Sequence, residues 1–171
     1  SAAYNASKWE RVLSLYEELE KKQSTEDDTS GLAATYNRLG LVYQAKGEWE
    51  KAIQFYYKAL EGKEKIGDIH GMAQTYGNLA ILAFEQKDMA TALSHFWSIQ
   101  FLFIKLGAHS KIQKTFNFIV AIALDIGEEE FDKLTNEIHK DFQSSGVLLG
   151  SRVVVSSKEA KAIIEKVKAQ K

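Results

Sequence analysis

The sequence predicts an all-α fold, a solenoid of antiparallel helix hairpins. Three observations carry this expectation. The chain repeats itself at one fixed spacing: Gly31-Leu-Ala-Ala-Thr-Tyr-Asn-Arg-Leu39 aligns with Gly71-Met-Ala-Gln-Thr-Tyr-Gly-Asn-Leu79, and Gly67-Asp-Ile-His70 with Gly107-Ala-His-Ser110. A period of roughly 40 residues marks stacked units rather than one globular core. Apolar residues recur at helical spacing through most of the chain. There is no proline to interrupt a helix.

Taken in order, Trp9, Val12, Leu13, Tyr16 and Leu19 form a first helical stripe. Lys8-Trp9-Glu10-Arg11 stands one full period before Glu48-Trp49-Glu50-Lys51. Residues 1–30 are therefore expected to be the second helix of a truncated repeat, cut from a longer array. The polar stretch Lys21 to Ser30 reads as a loop. Residues 31–70 form a repeat: Tyr36, Leu39, Leu41, Val42 and Tyr43 lie on one helix, and Ala52, Ile53, Tyr56, Ala59 and Leu60 on its partner. Gly47 lies between them, where a glycine past a helix end supplies a left-handed turn. Residues 71–110 repeat the plan with Tyr76, Leu79, Ile81, Leu82 and Phe84, then Ala92, Leu93, Phe96, Ile99 and Leu102. Residues 111–146 are a degenerate repeat: Thr115, Phe116, Asn117 and Ile119 keep the pattern, Gly127 takes the turn, and Phe131, Leu134, Ile138 and Phe142 slip out of register. Residues 147–171 form a C-terminal arm and capping segment. There, Val147 to Val155 is β-branched, reading as a strand or an extended arm. Ser156 and Glu159 suggest a capping box before the stripe Ala160, Ile163, Ile164 and Val167.

Composition narrows the function classes. Lys+Arg number 22 and Asp+Glu 23, for a net charge of -1, which gives no bulk pull toward nucleic acid or anionic membrane. No apolar run approaches the ~20 residues of a membrane span. The absence of cysteine removes disulfides, thiolate metal sites and a Cys nucleophile, and fits a cytoplasmic location. His70, His95, His109 and His139 are scattered without ligand spacing, so no metal is expected. Asp125 and Glu128-Glu-Glu130 lack calcium-loop spacing. No phosphate loop or nucleophile elbow is present. The lysines at 158, 161, 166, 168 and 171 read as a solvated face. No catalytic constellation and no cofactor are expected; the chain reads as a non-enzyme.

Leu39-Gly40, Tyr43, Gly47, Ala52, Tyr56, Ala59 and Leu60 carry the spacing of the tetratricopeptide repeat, which the chain resembles. The second unit keeps Leu79, Ala80, Ala92 and Phe96 but has Ala83 for the tyrosine and Lys87 for the glycine. The usual repeat is ~34 residues. The longer spacing here resembles the variety found in Pins/LGN polarity adaptors, kinesin light chains and bacterial regulators. The resemblance implies a right-handed solenoid of about two and a half to three repeats. First helices would line a concave groove that binds a protein or peptide partner. The positions it places there are Ala34, Asn37, Arg38, Leu41 and Gln44; Gln74, Gly77, Asn78, Ile81 and Glu85; and Lys114, Asn117, Phe118 and Ala121. Asn37, Asn78 and Asn117 sit where helices disfavour asparagine. An amide side chain both donates to and accepts from a peptide backbone. The lysine and asparagine set of carboxylate clamps is missing.

Residues 96–104 and 116–126 are apolar on most sides, and such helices are buried on more than one face. Either the 147–167 segment covers them or they form an interface; the alternatives to peptide binding are a homodimer through this face or a regulatory subdomain of a larger multidomain protein.

Overall fold

The computed structural model describes residues 2–144, which form seven consecutive α-helices: α1 (Ala2–Thr25), α2 (Thr29–Ala45), α3 (Trp49–Lys65), α4 (Ile69–Glu85), α5 (Met89–Lys105), α6 (His109–Ile126) and α7 (Glu128–Ser144). No strand occurs among the described residues. The expectations for residues 147–171 (strand or arm, capping box, amphipathic stripe, cover) lie outside the described residues. The fold is an all-α array of helix hairpins.

One turn, repeated, builds this array. Between α1 and α6 the residue two places before each new helix has a left-handed backbone: Asp27 (φ 54°), Gly47 (75°), Gly67 (69°), Lys87 (62°) and Gly107 (63°). In each of these turns the next amide reaches back five residues to a carbonyl. Asp28 donates to Gln23, Glu48 to Tyr43, Asp68 to Lys63, Asp88 to Ala83 and Ala108 to Phe103, all at 2.9 Å. This closure satisfies the last carbonyls of one helix and starts the next within three residues. A helix of 17 residues plus such a turn spans half the period, so each hairpin completes one. After α6 the link is Gly127 alone, so α7 begins ahead of the register.

The polar stretch 21–30 is thus not a loop. Helix α1 continues to Thr25, and Asp28 caps α2 by accepting from the Gly31 amide at 2.9 Å. Lys21 and Lys22 are exposed on the last turns of α1, and Glu26, Asp27 and Asp28 form the three-residue turn into α2. Asp68 caps α4 through Gly71 at 2.9 Å, and Asp88 caps α5 through Thr91 at 3.1 Å. Ala108 gives α6 no side-chain cap.

The chain divides into two compact units, Ser1–Leu82 and Ala83–Lys171. In the first, α2 packs on α1 and α3. Ala52, Tyr56 and Leu60 of α3 join Leu79 and Leu82 of α4 in a core flanked by Tyr43, Ile53, Met72 and Tyr76. Tyr56 is fully buried, and Gly40 makes room for it: a methyl there would overlap its ring. Its hydroxyl donates to Gln44 Oε1 at 2.7 Å. On the outside of the α2–α3 hairpin, Tyr43 stacks on Phe55 with ring centroids 5.3 Å apart. Lys51 covers the Tyr43 ring and Lys58 the Phe55 ring.

In the second unit, α5 packs against both α6 and α7. That double burial explains its all-round apolar sequence, for Leu93, Phe96, Trp97, Ile99 and Leu102 are all buried. Phe116, Ile119, Val120, Ile122 and Ala123 of α6 and Phe131 and Ile138 of α7 complete this core.

Candidate protein-interaction face

The residues expected to meet a partner fall on α2, α4 and α6. In the first unit, α2 leaves Ala34, Arg38 and Leu41 exposed, and α4 leaves Gln74 and Ile81 exposed with Asn78 half-buried. Leu41 and Ile81 occupy the same register position and are each 47% exposed. Helical geometry explains the pattern, because the opposite side of each helix supplies Leu39 and Gly40 or Leu79 and Ala80 to the interior. Gly77 lies beside Asn78, and beyond its chain neighbours and the backbone of its own helix nothing stands within 4 Å of where its Cβ would be. This face is a pair of apolar side chains framed by a guanidinium and two amides.

Two of the expected residues are already engaged within the fold. Gln44 is half-buried and accepts from Tyr56. Asn37 is only 8% exposed, and its Oδ1 accepts from Thr75 Oγ1 at 3.0 Å and from Asn78 Nδ2 at 3.4 Å. It is an interior strut rather than a solvated contact, since α4 lies over it. Asn117, in the same register, is exposed.

In the second unit Glu85, Lys114, Asn117, Phe118 and Ala121 are all exposed. Phe118 is 55% exposed, yet its ring stacks on buried Phe96 with centroids 5.2 Å apart and planes 6° from parallel. The stacking holds one face of Phe118 and presents the other to solvent.

A polar seam unseen in the sequence runs behind the first unit's face. Lys63 is 6% exposed. Its Nζ donates to Thr75 Oγ1 at 2.7 Å and to the Gly71 carbonyl at 3.0 Å. Burial pushes the Lys63 ammonium below its ordinary pKa, while Asp68 acts in the opposite direction. The preceding repeat has a counterpart in which Thr35 Oγ1 donates to Gln23 Oε1 at 2.8 Å. In the next repeat the position is Phe103, whose ring lies 5.4 Å from Lys111 Nζ, and Thr115 turns back to the Lys111 carbonyl at 3.1 Å. The signal was present in the spacing, as Gln23, Lys63 and Phe103 stand equally far before Thr35, Thr75 and Thr115.

His95 is 7% exposed and held neutral by burial, its pKa lowered to about 4 despite the opposing pull of Asp88. Among the described residues no three His, Cys, Asp or Glu side chains gather as a metal site. No described helix is long and apolar enough to cross a membrane.

A search among curated proteins finds no match to the chain. The family model described as tetratricopeptide repeat matches residues 31–96, which span α2, α3, α4 and the first half of α5. Such repeats mediate protein–protein interactions and typically act without catalysis. With this match and the helix-hairpin array, residues 31–96 are read as tetratricopeptide repeats.

Proposed function

We propose that the chain is a non-enzymatic interaction module that holds a peptide or helix of a protein partner against the exposed face of α2 and α4. The observation that supports this most is the pair Leu41 and Ile81, left exposed at one register position of two helices whose other sides are packed. Removing such side chains from water favours association by about 25 cal/mol for each Å² buried. Arg38, Gln74 and Asn78 around them supply the polar contacts that fix orientation. In the second unit Phe118, with Lys114, Asn117 and Glu85, offers a comparable set.

The test is selection of peptides against the intact chain from a displayed library, followed by calorimetric titration of the selected peptide. Leu41→Ser combined with Ile81→Ser should weaken binding at least about tenfold, roughly 1.4 kcal/mol. Arg38→Ala with Asn78→Ala should add to that loss. Unchanged affinity in both pairs refutes the α2–α4 face. The exposure of Phe118 favours a second reading, self-association of the chain. Sedimentation that depends on concentration and is abolished by Phe118→Ser would support it, and a monomer at all concentrations would remove it.

A further inference from the structure

We infer that Lys63 is a positioning residue that sets the direction of a hydrogen-bond chain running through Thr75 and Asn37, so that Asn78 turns its carbonyl oxygen outward and accepts a donor N–H from a partner. Only the last step, the meeting of Asn78 with a partner, rests on the proposed function. The chain of bonds is a property of the free protein.

The direction follows from donor and acceptor counts. An ammonium has three donors and no acceptor, so Lys63 Nζ can only give to Thr75 Oγ1 and to the Gly71 carbonyl. The Gly71 oxygen has two lone pairs. One takes the Thr75 amide four residues on, as the helix requires, and the other takes Lys63. Thr75 Oγ1 also lies 3.0 Å from that filled carbonyl, but the open acceptor for its hydrogen is Asn37 Oδ1, equally 3.0 Å from Oγ1. Asn37 must therefore face Thr75 with its oxygen, and the remaining lone pair of that oxygen receives Asn78 Nδ2 at 3.4 Å. With its nitrogen turned inward, Asn78 leaves its oxygen for the outside. Thr75 is fully buried and Asn37 nearly so, so water does not compete for these bonds.

The first repeat shows what another residue does at this position. Gln23 receives the Thr35 hydroxyl on Oε1, while its Nε2 lies against Gly31, where a methyl would collide with it. The threonine then gives its hydrogen to the glutamine rather than onward. Lys63→Gln should accordingly take the Thr75 hydrogen. Thr75 then offers Asn37 only lone pairs, Asn37 turns its amide nitrogen toward them, and Asn78 rotates to present its nitrogen outward. Lys63→Arg, a donor without acceptors, should keep the original sense.

The experiment is NMR on the full chain, free of ligand, with asparagine side-chain amides labelled with 15N. In the wild-type chain an Asn78 side-chain proton should be the one lying between the two amides, exchanging with solvent roughly tenfold more slowly than its partner on the same nitrogen. The Asn37 amide protons should show no contact with the Thr75 hydroxyl. Lys63→Arg should preserve this pattern, and Lys63→Gln should invert it, moving the slowed proton from Asn78 to Asn37. An Asn37 proton between the amides in the wild-type chain overturns the inference, and so does an unchanged pattern in folded Lys63→Gln. If Lys63→Gln does not fold, the wild-type assignment decides. Failure of every peptide to bind, with this pattern intact, would refute the proposed function and leave the hydrogen-bond direction standing.

Discussion

His95 gives the second unit a stability that depends on acidity. In the folded chain its imidazole stays neutral down to a pKa of about 4, against 6.5 for the ordinary side chain, because burial disfavours the cation. Once unfolded, the chain binds this proton as the pH falls through about 6.5, while the folded chain does not bind it until about 4. Between these limits the unfolded state carries more protons, so stability rises with pH and is lost on acidification. The gap of about 2.5 pH units, at about 1.4 kcal/mol each, makes the loss about 3 kcal/mol. His95→Phe should remove this dependence; phenylalanine is what α3 carries at the equivalent position, Phe55. Trp97 is buried in α5 and reports on this unit once Trp9 and Trp49 are replaced by Phe. Urea unfolding of that background at pH 7, 5.5 and 4, with and without His95→Phe, gives the difference directly and cancels the carboxylates common to both. The wild-type side chain should lose about 3 kcal/mol more than the variant between pH 7 and 4. Parallel losses, or a His95 ring that titrates near 6.5 by NMR, would refute the reasoning.

Gly40→Ala should destabilise the first unit by about 1–3 kcal/mol, although alanine is the better helix former, because its methyl meets the buried Tyr56 ring; thermal unfolding measures this. Lys87→Gly should stabilise by about 1 kcal/mol, since a side chain at φ 62° strains a turn that glycine makes freely; a higher urea midpoint with an unchanged slope would confirm it. Gly77→Ala meets nothing and should gain up to about 1 kcal/mol of helix stability. The same change should weaken a selected peptide if the bare backbone at 77 lets a partner approach closely.

The helices were legible because their apolar stripes and turn glycines report only on local geometry. Two turns escaped for one reason. Asp27 and Lys87 adopt the left-handed backbone without being glycine, so the end of α1 looked like a loop and the second repeat looked degraded at its turn. The apolar surround of α5 correctly signalled burial on several sides, and its partners include α7, the helix that had looked out of register. The face on α2 and α4 could be named position by position but not sorted. Asn37 and Arg38 are neighbours of similar polarity, yet one is buried under α4 and the other exposed. That distinction depends on Thr75, far along the chain, reaching Asn37, and on Lys63 backing Thr75. A lysine amid charged residues carries no local mark of burial.

The residues facing each threonine make every junction between successive hairpins chemically different. Glutamine meets threonine at the first, an ammonium serves threonine and a glycine carbonyl at the second, and at the third a phenylalanine ring lies under Lys111. Unequal recombination in a gene of this kind can delete or duplicate whole repeats without disturbing the helix pattern. A deletion joining α3 directly to α6 would put Lys63 in the place of Phe103, against Lys111, setting cation against cation where one is buried. A duplication placing α5 before a copy of α4 would put Phe103 beneath Thr75 and remove the ammonium donor. The order of the repeats is thereby written into their junctions, and changes in array length are filtered there before any partner is involved.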